Sequence, residues 1–331
     1  MQSEGVIFRS LNFKKFLHVL NRRHIRIKVM QTIYAMHQKG SDSLEKEEKF
    51  LLSSIENLME LYLIMLSSLI ELANKENDFI EVSRKKHLAT PQERNPNLKF
   101  VNNAVLNLLK NSRSIDVALD THKINNWKAN DDAILLLLND VKQSKIYEDY
   151  MNDTVSSFEK DQQFIIELFS EVIAPNEKLY SYLEDYKLTW VDDIPVVNTQ
   201  ILKQLKQLNP KSEFRVSSLF KDDEDREYAI ALFRKTVLNE GEFAKEYIDK
   251  TPNWDVDRIA EMDTILLKMA ICELLKFPSV PVKVTINEFL EIAKEYSTPK
   301  SSIFINGILD NLVKSYQATG RMNKSGRGLM E

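Results

Sequence analysis

The chain has 331 residues, of which 43% are hydrophobic, so it can bury a substantial core in one large domain or two smaller ones. Only seven glycines and nine prolines interrupt it, which favours helices over a sandwich or barrel with many turns. The single cysteine, Cys272, excludes an internal disulfide and fits a reducing cytosol. Its apolar neighbours predict a small core residue and not a reactive thiol.

The net charge of −4 is unevenly distributed along the chain. Residues 1–40 carry eight basic residues and one acidic residue, which leaves +7 there and −11 on the remainder. A basic segment on an acidic body predicts an anionic partner at one end of the molecule. A solvated arm without a partner would carry the same charge, and charge alone does not separate the two interpretations.

We predict no membrane-spanning segment, because the most apolar run, residues 61–70, is well short of the roughly 20 residues that a spanning helix needs. The N-terminus also lacks the long apolar core of a signal peptide. We therefore expect a cytoplasmic protein.

The first strong helix is predicted over residues 21–39. Apolar side chains recur at three- and four-residue steps between Ile25 and Met36 and form one stripe. Arg22 and Arg26 share another face, and a Gly-Ser-Asp-Ser sequence ends the helix.

A long helix is then predicted over residues 45–77, followed by a polar loop at 84–98. Further helical patterns cover residues 99–112, 114–122, 131–150 and 153–173. A shift of 64 residues lays 161–202 over 225–266 without a gap, with eight identical pairs that include Trp190 and Trp254. We interpret this match as two related helical units. The alternative is a chance match between helical patterns.

The last quarter predicts three helices. The first begins near Asp255 or Asp257 and ends before Pro278, the second opens at Thr285, and the third starts at Thr298-Pro299.

Asn306-Gly307 is a strong hairpin dipeptide, but it lies inside the third of these helices. The apolar period near 3.6 continues on both sides of it, so we predict an unbroken helix. We expect Gly307 to permit close approach of another helix, and Asn306 to bond a neighbouring loop.

No catalytic, metal or cofactor site is predicted. The five histidines have no metal-ligand spacing, and the sequence has no CxxC, HExxH or GxSxG motif. The glycines between Gly320 and Gly328 have the wrong spacing for a phosphate loop, and a flexible basic tail is the better interpretation.

Two segments resemble the transcription antitermination factor NusB family. The first is RRHIRIKVMQTIY (residues 22–34), which is similar to the arginine-rich first helix of that family. The second spans residues 262–313 and contains AxxEL, VPxKVxINE and FINGILD in the family order without a gap. The resemblance implies an all-α, NusB-like helical bundle without enzymatic activity. It also implies binding to boxA RNA together with the ribosomal protein NusE, within an antitermination complex on RNA polymerase, chiefly on rRNA operons.

The resemblance also implies site residues for RNA. Arg22, Arg23 and Arg26 match the arginine-rich stretch that faces RNA, and His24 stands where relatives often have another arginine. Aromatic positions near the RNA are matched by Tyr296 and Phe304, and Lys300 replaces an acidic residue of some relatives. Arginines on phosphates and aromatic rings on bases are what a single-stranded RNA site requires. For Phe304, packing in the core is the alternative.

Two further positions, Tyr34 and Asp263, match a tyrosine and an acid that meet NusE. The chain departs from the family in size, which predicts the following organisation: an extension at 1–20 with Val19 as a candidate start, a first helix at 21–40, an inserted helical region at 41–224, a family core at 225–317 and a flexible tail at 318–331. The alternatives are a helical protein-interaction scaffold and the NusB-like domain of an rRNA methyltransferase.

Overall fold

The computed structural model describes residues 18–211, 213–248 and 260–329, and the chain divides into two compact units. The first unit comprises Asn57–Lys221 with the N-terminal segment that ends at Val19. The second unit comprises Leu20–Glu56 and Asp222–Glu331. Over the described residues the regular secondary structure is helical, apart from one isolated bridge between His18 and Ser218, so the all-α prediction is confirmed. Most of the extension predicted at 1–20 lies outside the described residues.

The described ranges contain sixteen α-helices: α1 (Arg22–Lys39), α2 (Leu44–Arg84), α3 (Pro91–Arg94), α4 (Ala104–Lys110), α5 (Arg113–Thr121), α6 (Asn126–Ala129), α7 (Asp131–Gln143), α8 (Lys145–Asn152), α9 (Phe158–Leu168), α10 (Glu177–Tyr186), α11 (Ile194–Gln207), α12 (Asp223–Leu238), α13 (Glu240–Ile248), α14 (Glu261–Lys276), α15 (Val282–Tyr296) and α16 (Ser301–Ala318). A π-helical segment, Phe169–Ile173, continues α9, and 3₁₀ turns form at Leu188–Trp190 and Gly326–Leu329.

Helix α1 begins one residue after its predicted start and ends where its sequence predicts. The side chain of Asn21 accepts a hydrogen bond from the backbone N–H of His24 at 3.1 Å, which caps the N-terminus. Gly40 ends the helix in the left-handed region, with φ of 59°, and its N–H donates to the carbonyl of His37 at 3.0 Å.

Helix α2 is the longest element, with 41 residues, and it continues past the predicted end at residue 77. By length and composition it could cross a membrane. However, 67% of its most apolar 18-residue window is buried inside the protein, as in the core helix of a globular fold.

The predicted repeat is matched by the order and burial of the helices. A shift of 64 residues places α9 and its π-helical continuation over α12, α10 over α13, and α11 over α14. Side chains that the shift aligns are buried in both copies: Phe164 and Tyr228, Leu168 and Leu232, Phe169 and Phe233, and Ile201 and Ile265. Trp254 lies outside the described residues, so its expected equivalence with Trp190 stays a prediction.

A buried aspartate occupies the same position in each copy. Asp161 accepts the backbone N–H of Ala104 at 2.7 Å, at the start of α4. Asp225 accepts Nε of Arg22 at 2.8 Å, at the start of α1. Each aspartate therefore holds the N-terminus of a preceding helix, which supports two related helical units over a chance match.

The second unit is built around a buried ion pair between α1 and α14. Arg26 is 1% exposed and Glu273 is 0% exposed; the arginine donates through Nη2 and Nε to the two carboxylate oxygens, at 2.7 and 2.8 Å. Hydroxyls of Tyr228 on α12 and Thr285 on α15 also donate to Glu273. The network therefore joins four helices.

Electrostatics in this network favour the charged forms of both partners. Burial alone would raise the pKa of Glu273, but Arg26 and the hydroxyl donors hold it below its ordinary value of 4.5. Burial alone would lower the pKa of Arg26, but the neighbouring Tyr228 and Glu273 raise it instead. The pair is therefore ionised at neutral pH.

Two of the predicted helix starts in the last quarter are displaced. Helix α15 begins at Val282 and not at Thr285, whose hydroxyl donates to Glu273 instead of capping the helix. Helix α16 begins at Ser301, and Thr298 lies in the turn that precedes it. The predicted caps Asp255 and Asp257 lie outside the described residues.

Gly307 and Gly328 in the C-terminal region have opposite surroundings. Gly307 lies within α16 as predicted, but a Cβ there would meet nothing within 4 Å, so the expected close approach of another helix is wrong. Asn306 donates to Asp310 of its own helix and not to a loop. At Gly328 a Cβ would lie 1.9 Å from the carbonyl oxygen of Pro278. The segment predicted as a flexible tail therefore packs against the α14–α15 loop.

Exchanging these glycines for alanine tests the difference. Gly307→Ala should raise the free energy of unfolding by about 0.5–1 kcal/mol, because alanine is the better helix former and the site is open. Gly328→Ala should lower it, because the new methyl group collides with backbone. Urea unfolding followed by circular dichroism measures both. Equal effects of the two changes would contradict the described packing.

Breaking the buried ion pair should destabilise the second unit strongly. Arg26→Ala leaves the Glu273 carboxylate buried without its cation, at an expected cost of about 3–5 kcal/mol. The control is Arg234→Ala, which removes an exposed arginine–glutamate pair with Glu48 and should cost about 0–1 kcal/mol. Urea unfolding of each variant measures the two costs.

The pH dependence of the same pair follows from its pKa shift. The folded state lowers the pKa of Glu273. The contribution of the ionised carboxylate to the free energy of unfolding is therefore fully present above pH 4.5, and it is lost as the pH falls through the lowered pKa. Glu273→Gln should therefore lose less stability than the wild type on acidification. An acid-unfolding profile that is the same for both would contradict the assignment.

Candidate nucleic-acid interface

A groove of about 560 Å³ opens beside the first turn of α1. Residues from the start of α1 form one side, and residues from the α14–α15 loop and from α15 form the other: Asn21, Arg22, Arg23, His24, Arg26, Ile27, Ser279, Val280, Pro281, Val284, Glu288 and Glu295. The groove therefore brings the arginine-rich stretch together with a wall that is partly acidic.

Arg22 lies at the rim of the groove with about a third of its side chain (35%) exposed. Its Nε donates to the buried carboxylate of Asp225, and its guanidinium lies 5.0 Å from the ring centre of Tyr228. These contacts fix the plane of the guanidinium, while the exposed part remains accessible from solvent.

Arg23 has a similar exposure but a different partner. Its Nε and Nη2 donate to both oxygens of Glu288 on α15, at 2.8 and 3.0 Å. This hydrogen-bonded pairing, assisted by the charges of Glu291 and Glu295, raises the pKa of Arg23. The guanidinium is therefore held in one orientation above the groove.

Arg26 contributes to the interior and not to an accessible surface. It is 1% exposed, its Nε and Nη2 donate to Glu273, and its Nη1 lies 3.9 Å from Glu288, so it has no face open to a phosphate group. The expectation that Arg22, Arg23 and Arg26 form one RNA-facing set is therefore corrected to Arg22 and Arg23. His24 is half-buried and also lines the groove.

The aromatic candidates lie around the α15–α16 connection. Tyr296 ends α15 and Phe304 lies in the first turn of α16; both are half-buried, so Phe304 is not a fully enclosed core residue. Lys300 precedes α16 and is exposed. None of the three is among the groove-lining residues of the described chain.

Asp263 organises this connection from inside the protein. It is 5% exposed, and its two carboxylate oxygens accept the hydroxyls of Ser297 and Ser301, at 2.6 and 2.7 Å. The burial of Asp263 therefore disfavours direct contact with a partner protein. Its hydrogen bonds fix the start of α16, which carries Phe304.

Tyr34 is the exposed member of the predicted protein-binding pair, with 38% of its surface accessible. One turn further along α1, His37 bonds Glu240 at 3.0 Å and lies 3.5 Å from Glu261. The hydrogen bond to Glu240 raises the pKa of His37. The C-terminal half of α1 is thereby anchored to the first residues of α13 and α14.

Sequence reasoning missed the acidic partners of the arginines, namely Asp225 and Glu288. Neither residue stands out in the sequence, because acidic residues are usually exposed. The available signal for Asp225 was its alignment with Asp161 in the repeat, since the structure buries both.

Part of this chain is similar to known proteins. A model of the NusB family matches residues 197–314. A transcription antitermination protein NusB from Salinibacter ruber is 49% identical over 113 residues, which is 34% of this chain and 70% of that relative. NusB proteins from Chloroherpeton thalassium and Natranaerobius thermophilus are 38% and 44% identical over 110 and 81 residues, which is 33% and 24% of this chain.

This chain spans only 52% and 54% of the length of those last two relatives. No solved structure matches the chain. The identity to the Salinibacter ruber protein, over more than two thirds of its length, decides the relationship. The chain belongs to the NusB family.

Proposed function

We propose that this chain is a non-catalytic, RNA-binding transcription antitermination factor. In this proposal it binds boxA RNA together with NusE and acts on RNA polymerase, chiefly on rRNA operons. The names of its relatives, each a transcription antitermination protein, support the general role. The geometry of the groove supports the RNA site.

The observation that carries the RNA site is the pair Arg22 and Arg23 at the rim of the groove. Both lie outside the range of the family match, but the Arg26–Glu273 pair fastens α1 to α14, which lies within that range. Guanidinium groups present paired donors that match phosphate oxygens. Two partly exposed arginines on adjacent residues can therefore serve neighbouring phosphates of a single strand.

Base contacts are assigned to the α15–α16 connection. Half-buried rings at Tyr296 and Phe304 keep part of their surface accessible, and aromatic rings stack on unpaired bases. Lys300, exposed between them in sequence, adds positive charge at the same place. His24 lies beside the arginines in the groove and adds a polar contact there.

Replacing both rim arginines tests the phosphate contacts. Each phosphate contact on a single strand contributes about 0.7 to the slope of log affinity against log salt concentration. Arg22→Ala/Arg23→Ala should therefore weaken boxA RNA binding at low salt and make the slope shallower by up to about 1.4. Fluorescence anisotropy across a salt series measures both quantities.

The matched control removes the same charge from elsewhere in the second unit. Lys245 and Lys314 are exposed and do not line the groove. Lys245→Ala/Lys314→Ala should leave the slope nearly unchanged. If the folded arginine variant binds boxA RNA as the wild type does, the groove is not the RNA site.

The proposed NusE contact is tested at Tyr34, the exposed member of the predicted pair. Tyr34→Ala should weaken binding to purified NusE and should lower RNA affinity only when NusE is present, because Tyr34 is not among the groove residues. Val284→Ala serves as the control, since that exposed apolar side chain lines the groove. Calorimetric titration with NusE measures the effect, and unchanged NusE affinity would remove Tyr34 from the interface.

A further inference from the structure

The donor edge of Arg23 is already occupied by a carboxylate of its own unit. Two parallel N–H groups meet the two oxygens of Glu288 at 2.8 and 3.0 Å. A phosphate group recognised by an arginine takes the same pair of donors, because its oxygens have a similar spacing. An RNA phosphate can use this edge of Arg23 only after Glu288 has left it.

The two arginine–carboxylate pairs at the groove differ in how easily they can exchange. The carboxylate of Asp225, which holds Arg22, has 6% of its side chain exposed, whereas that of Glu288 has 23%. The Arg23 side chain is 37% exposed. A pair that water already reaches contributes little to folding, so its partner can be replaced without unfolding the unit.

We propose that Glu288 competes with RNA phosphate for Arg23 and thereby lowers the affinity of the groove for RNA. This inference rests on the function proposed above. In the free protein Glu288 positions the guanidinium of Arg23. In the complex an RNA phosphate replaces Glu288 on that guanidinium. Contacts to phosphate carry no sequence information, so the competition weakens every RNA alike and leaves discrimination to the base contacts.

The competition can be removed with a single isosteric change. Glu288→Gln keeps the shape of the side chain but removes the charge that pairs with Arg23 and that also lies 3.9 Å from Nη1 of Arg26. Glu291→Gln is the matched control: it lies one turn further along α15, removes the same charge and bonds Lys294 instead of Arg23. Both changes are made in the full chain and, in parallel, in a chain that carries Arg23→Ala.

We expect Glu288→Gln to bind boxA RNA roughly three- to tenfold more tightly than the wild type at low salt, the range expected for releasing one charge-assisted contact. Glu291→Gln should give a clearly smaller gain, because its charge acts on Arg23 without a hydrogen bond. In the Arg23→Ala chain the two substitutions should have equal effects. A scrambled RNA of the same length should show the same fold-change at Glu288. Thermal unfolding confirms that each variant is folded.

The outcomes separate this inference from the function beneath it. If the wild type binds neither boxA nor scrambled RNA, the proposed RNA function fails and the competition fails with it. If the wild type binds RNA but Glu288→Gln and Glu291→Gln gain equally, the competition alone is overturned. A larger gain at Glu288 that persists without Arg23 would also overturn it, because Glu288 would then act by another route.

Discussion

The buried ion pair between Arg26 and Glu273 is the interaction on which the second unit depends. Removing two charges from water is costly, and the cost is offset only where every polar atom of the pair finds a partner. Glu273 meets this requirement with two donors from Arg26 and with the hydroxyls of Tyr228 and Thr285. Since these groups come from four helices, satisfying one carboxylate fixes how all four pack.

The same requirement fixes the rotation of α1 about its axis. Once Arg26 points into the core, the helical repeat directs Arg22 and Arg23, one turn earlier, towards the rim of the groove. Three arginines in one short stretch thus acquire two roles. The carboxylate that pairs with each arginine sets its role. Arg26 pairs with a fully buried glutamate, and Arg23 pairs with a partly exposed one.

Periodicity was enough to predict the elements whose causes are local. The all-α class, the bounds of α1, the helix through Asn306-Gly307 and the burial of Cys272 all follow from apolar spacing and capping residues. These features depend on neighbours within a few positions. A single sequence contains that information directly.

The features that periodicity does not reach depend on partners far away in the chain. Arg26 and Glu273 are 247 residues apart, and nothing near Arg26 marks it as different from Arg22. The burial of Asp263 and the open surroundings of Gly307 likewise depend on packing. The insertion at 41–224 stays a prediction, since the compact units divide at residues 56 and 222 and the family match begins at 197.

The proposed RNA site comprises the start of α1 and the α15–α16 connection. Ultraviolet cross-linking of the full chain to boxA RNA, followed by mass spectrometry of the RNA-linked peptides, tests it most directly. We expect the linked peptides to contain residues 22–24 or 296–304. Cross-links confined to Asn57–Lys221, with none in those peptides, would contradict it.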